Sequence, residues 1–135
     1  MSLDELKKIQ KMNLSKIENY CLGKGFKFSQ VYDDEFDFGI SYVKGIGSSK
    51  VFINFYERYV KHDYNVVVYQ TNSSSDYLSI KAQIEESGFI LVLTSTDNGV
   101  MFKEYTDANF IVILATGKDP ELHQDAYEIT LKPSI

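Results

Sequence analysis

The chain has 135 residues, 44% of them hydrophobic and 24% charged, which is the size and composition of about one globular domain. Its formal net charge of −5 argues against a nucleic-acid binder, which needs a basic face to displace counterions from phosphates. A single cysteine, Cys21, excludes an internal disulfide, and no apolar run is long enough to span a bilayer.

Ser2 followed by Glu5 makes a capping-box pattern, and Leu3, Leu6 and Ile9 fall on one side of a short helix over residues 2–11. Asn13 then caps a second helix with the apolar stripe Leu14, Ile17 and Cys21, which Gly23 and Gly25 end. Cys21 lies in that stripe, so it reads as a small buried apolar residue rather than a reactive thiol. Four strands follow: Phe26–Tyr32, Phe36–Val43, Val51–Glu57 and Asn65–Thr71. Asn72 to Ser75 is a polar seam. A third helix is expected from a cap at Asp76, with Tyr77, Ile80 and Ile84 as its stripe. Four more strands follow it: Phe89–Ser95, Val100–Thr106, Phe110–Thr116 and Ala126–Lys132. Asn98-Gly99 between the first two of these is a strong hairpin signal, because both turn positions tolerate positive φ.

The second and third helices read as copies of one another. Residues 13–26 are N-L-S-K-I-E-N-Y-C-L-G-K-G-F and residues 76–89 are D-Y-L-S-I-K-A-Q-I-E-E-S-G-F. Each opens on a capping residue, carries an apolar stripe and stops at Gly-Phe. The expected fold is therefore α+β, a single domain over 1–135 with internal repeats at 13–71 and 76–132 and an extra helix over 2–11. Each repeat would be a helix plus a four-stranded antiparallel meander. Neither is large enough to bury its sheet well, so the two should join into one curved sheet with the helices on one face.

Strand alternation divides the faces. Phe36, Phe38, Ile40 and Tyr42 are expected towards the helices, with Val51, Ile53 and Phe55. That leaves Phe52, Asn54 and Tyr56 outward. Asn65, Val67 and Tyr69 are placed outward as well, and transferred parity adds Ile90, Val92, Ile111, Ile113, Glu128 and Thr130. An outer face that apolar implies a protein partner or a homodimer. The expected binding residues are Phe52, Tyr56, Val67, Tyr69, Ile90, Val92 and Ile111.

Chemical motifs are weak by comparison. Asp33, Asp34, Glu35 and Asp37 match the first positions of a calcium loop, but Gly39 is one place late and Lys44 stands where the bidentate acid belongs. His62 and His123, beside Asp63 and Asp125, fall in corresponding loops, and exposed loop histidines are the bland reading. Gly45 to Lys50 lacks Walker spacing and leads into a strand, so no helix N-terminus is there to hold phosphate. No serine or cysteine has a visible base partner. Neither a metal nor a cofactor is expected, and the reading is a non-enzymatic protein-binding or self-associating module. The alternative is a small-molecule-binding protein or enzyme with a pocket between sheet and helices.

The opening L-D-E-L-K-K-I-Q-K-M-N-L-S-K-I-E-N-Y, with Gly-Phe after it, resembles uncharacterised bacterial proteins of similar size that usually carry a signal peptide. That resemblance implies an exported protein, periplasmic or secreted, whose leader has been removed; the alternative is a cytoplasmic one. The doubled helix-plus-four-strand architecture is similar to that of the β-lactamase inhibitory protein family, which grips an enzyme with the aromatic residues of a concave sheet. The resemblance implies no catalytic residues.

Overall fold

The computed structural model describes residues 1–119 and 124–134. Helix α1 spans Leu3–Gln10 and α2 spans Leu14–Gly23. The N-caps of both are as the sequence implies: Ser2 Oγ accepts from the Glu5 N–H at 3.1 Å, and Asn13 Oδ1 from the Lys16 N–H at 2.9 Å. Strands β1 Lys27–Asp33, β2 Phe38–Lys44, β3 Val51–Arg58 and β4 Val66–Thr71 follow. Helix α3 spans Ser74–Glu86, and β5 Ile90–Asp97, β6 Val100–Thr106, β7 Phe110–Lys118 and β8 Asp125–Pro133 complete the chain. No helix among the described residues is long and apolar enough to cross a membrane.

Helix α3 starts earlier than expected. Its cap is Ser73, which accepts from the Asp76 N–H at 3.1 Å, so Asp76 lies in the first turn. The Asp76 carboxylate is used elsewhere: it accepts a 2.6 Å hydrogen bond from the Tyr69 hydroxyl.

All eight strands form one open antiparallel sheet in the order β1-β2-β3-β4-β8-β7-β6-β5. The chain thus builds inward from one edge to β4, crosses through α3 to the opposite edge, and builds inward again to β8. The seam is β4 against β8, with Val67 opposite Leu131 and Tyr69 opposite Ile129. The two outer hairpins share a register. Lys27 pairs with Val43 as Ile90 does with Thr106, and Phe28 with Tyr42 as Leu91 does with Tyr105. Each outer strand then carries an irregularity at the same step, between Phe28 and Gln30 and between Leu91 and Leu93.

The three helices cover one face. Their stripes, Leu3, Leu6 and Ile9, then Ile17 and Cys21, then Tyr77, Ile80 and Ile84, form one buried cluster with Tyr42, Ile53, Phe55, Tyr105, Val112 and Leu114. Helix α1 packs over the seam between β4 and β8 and is tied to both neighbours. Gln83 Oε1 on α3 accepts from the Leu3 N–H at 2.8 Å, and Tyr20 on α2 donates to Glu5 at 2.7 Å. That second bond, foremost among several causes, holds the Glu5 carboxyl below its ordinary 4.5. A folded-state value below the unfolded one stabilises above pH 4.5 and loses that contribution as pH falls through the folded value. Tyr20→Phe is accordingly expected to flatten the acid limb of the stability profile, measured by urea titration between about pH 3 and 6.

Five residues are placed differently from the sequence expectation. Val67 and Tyr69 lie in the helix-facing cluster, 0% and 4% exposed, not on the outer face. Their ladder partners Phe55 and Ile53 point the same way. Val66 and Val68 are buried on the opposite side, so β4 is apolar on both faces and its sequence carries no alternation to read. Asn65 also turns to the helices, donating from Nδ2 to the Met12 carbonyl at 3.0 Å. Val92 is the residue left unpaired at the β5 irregularity, and beyond it the outward parity passes to Leu93, opposite Glu104. Phe36 precedes β2 and is half exposed in a turn, where Asp34 Oδ1 accepts from the Phe36 and Asp37 N–H groups at 2.7 Å each.

Candidate binding face

The face away from the helices is built from rows of side chains that run across the strands. One row reads Phe52, Gln70, Glu128, Ala115, Phe102 from β3 to β6. The next reads Asn54, Val68, Thr130, Ile113, Glu104. A third, towards the β5 edge, reads Lys132, Ile111, Thr106, Ile90.

At one end this face is covered by the protein itself. Tyr56 packs with Val66 and Val68, and Tyr32 and Tyr59 lie against it with ring centroids 5.3 and 4.9 Å away. The loop after β3 folds back through a bridge between Tyr59 and His62, and His62 stacks on Tyr64 at 5.3 Å. Burial pushes the Tyr59 phenol up, with smaller contributions from the Glu128 and Asp37 carboxylates.

The middle of the face is polar. Asn54 Nδ2 donates to Gln70 Oε1 at 3.2 Å, and Gln70 Nε2 donates to Glu128 Oε2 at 2.9 Å. Asn54 is 4% exposed, and its Oδ1 has no partner.

The other end is open. Ala115, Gly117 and Ala126 are small and leave a depression of about 410 Å³ between Phe52 on one side and Val100 and Phe102 on the other. Gln70, Glu128 and Asn72 supply its polar groups, with Lys50 and Lys118 also lining it. Gly117 matters here for space: a Cβ on it would come within 3.2 Å of Val100 Cγ2.

Of the residues expected to bind, Phe52 is a wall of this depression. Ile111 is half-buried on the same face, with exposed Ile90 in its row. Tyr56 faces outward but is buried under its neighbouring rings. Phe102 and Ala115 were not anticipated. Tyr105 matches Tyr42 at the same place in its hairpin, and both face the helices; Phe102, three residues before Tyr105, therefore had to face outward.

The weaker chemical candidates resolve into structure. Asp34 is used by its own turn, and its carboxyl is held low by the Asp37 and Phe36 backbone donors. Asp37 Oδ1 accepts from the Val60 N–H at 2.9 Å. Cys21 is buried, and burial pushes its thiol up to about 12, so it carries no thiolate at neutral pH. His123 lies outside the described residues. Among those described, no group of three His, Cys, Asp or Glu could hold a metal ion. Comparison of the chain with protein-family models, curated proteins and solved structures returned no match.

Proposed function

We propose that the chain is a non-enzymatic protein-binding module that works through the outer face of its sheet. The observation that carries this reading is the open end of that face. Phe52 and Phe102 are only partly buried there, no layer of described residues covers them, and a depression lies between them. Aromatic side chains around a concavity are the usual anchors of an interface, because they bring large area at low entropic cost. The partner, a different protein or a second copy, would bury Phe52, Phe102 and Ile111, while Gln70 and Glu128 fix orientation.

Capture of partners from source-cell extract by the immobilised chain tests this reading. A protein retained by the wild type and lost with both Phe52→Asp and Phe102→Asp is the expected result, with unchanged melting of both variants. Equal capture by all three chains sinks it. The same depression supports the second reading, a small-molecule binder, although it lies on the sheet face opposite the helices.

The chain is also proposed to be a tandem repeat, 13–71 and 76–132. The shared hairpin registers support it, as do Gly25 and Gly88, which take φ of 85° and 82° after α2 and α3. In homologous chains both glycines and both irregularities should be kept together; independent drift of the two hairpins would refute duplication.

A further inference from the structure

We infer that the free edge of β5 joins two copies of this chain by strand-to-strand pairing. This uses a different surface from the outer face and goes beyond that reading. β5 is last in the sheet order, among the described residues hydrogen-bonded to β6 alone, and all eight of its residues are exposed. Ile90, Leu91, Val92 and Leu93 are consecutive and 68, 47, 50 and 55% exposed. They do not form a patch on one face. Ile90 and Leu93 pair with outward residues of β6, and Leu91 pairs with the helix-facing Tyr105. The helical layer leaves even the helix-facing Leu91 about half exposed, since α3 packs mainly on β4 and β8. Apolar surface therefore wraps both sides of a row of unpaired N–H and C=O groups. A flat apolar surface could satisfy one side only; an extended strand satisfies the side chains and the main chain together.

The edge lacks most of the usual guards. Monomers protect an edge strand with lysine, proline, short length, a β-bulge or a covering loop. β5 has no basic residue and no proline before its end, and its one charge is Asp97. Only the irregularity at Val92 interrupts it. The opposite edge, β1, is bracketed by Lys27 and Asp33.

The absence of charge also selects the occupant. A basic partner would find no acid along residues 90–96, whereas a second copy of this chain, which carries a net −5, can approach there without setting like charges together. Antiparallel pairing about a two-fold axis presents the same patch from both sides and closes after two copies. At roughly 100 Å² of exposed surface each, the four apolar residues of two copies would contribute at most about 800 Å², up to half of a standard interface of ~1,600 Å². The strand's main chain and Thr94 to Thr96 make up much of the remainder.

Sedimentation equilibrium of the full chain, from about 1 μM to 1 mM, tests the inference. The wild type is expected to form a dimer. Leu91→Lys with Leu93→Lys should raise its dissociation constant at least ~tenfold, while Phe28→Lys on the other edge leaves it unchanged. Hydrogen exchange gives an independent reading that needs no variant: amide protection within residues 90–97 should rise with protein concentration. A wild-type monomer throughout, a dimer indifferent to the two lysines, or protection independent of concentration overturns the inference. A dimer broken by Phe52→Asp but not by the β5 lysines overturns it too, and places the contact on the outer face.

Discussion

Gly39→Val is expected to leave the chain without a cooperative thermal transition, a loss of more than ~4 kcal/mol. Valine suits a strand, and propensity alone would favour the change by up to about 1 kcal/mol. Space decides otherwise. A Cβ on Gly39 would overlap the Phe55 carbonyl oxygen and would lie 2.8 Å from Tyr56 Cα and 2.9 Å from Tyr56 Cδ1. Two of these atoms are main chain of the neighbouring strand, at the step where the β2–β3 register shifts, so no rotamer change relieves the clash. Moving β3 would in turn displace Phe55 from the core and Tyr56 from the tyrosines on the opposite face. Circular dichroism melting measures the outcome. Survival of Gly39→Val within about 1 kcal/mol of wild type would show that β2 and β3 are not held this closely.

The architecture was legible because its signals are local. Caps at Ser2 and Asn13, the Asn98-Gly99 turn and the helix stripes each depend on residues a few positions apart, and the structure keeps them. Alternation shows a face only where one side of a strand is wet. Phe52 and Asn54 follow it because β3 mixes polar and apolar residues, whereas Ile111 and Thr130 follow from the parity carried over from the first half. β4 reads V-V-V-Y and is buried on both sides, so parity had nothing to act on, and Val67 and Tyr69 were assigned outward. Val92 was misplaced for another reason: an unpaired residue changes parity without leaving a mark in sequence. The depression was not legible at all. It arises where Ala115, Gly117 and Ala126 come together from β7 and β8, and small residues announce themselves only through what stands around them.

Tyr69 separates the two faces by experiment. Tyr69→Asp is expected to unfold the chain, whereas Tyr69→Phe should fold and lose about 1.5–3 kcal/mol, the range for a hydrogen bond to a charged group. Tyr69 is 4% exposed and packs in the core beneath the helices, and its hydroxyl donates to Asp76 Oδ2 at 2.6 Å. Removing the ring alone costs about 3–5 kcal/mol, as for other large core aromatics. Aspartate adds a second carboxylate beside that of Asp76, a further like-charge cost. Phenylalanine keeps the volume and leaves one carboxylate oxygen to find another donor. Urea unfolding of the two variants beside Phe52→Asp makes the comparison direct, because Phe52 is on the open face and its aspartate can reach solvent. A folded Tyr69→Asp together with an unfolded Phe52→Asp would mean that the faces are reversed. The opposite pattern leaves the outer face free to be probed without disturbing the fold.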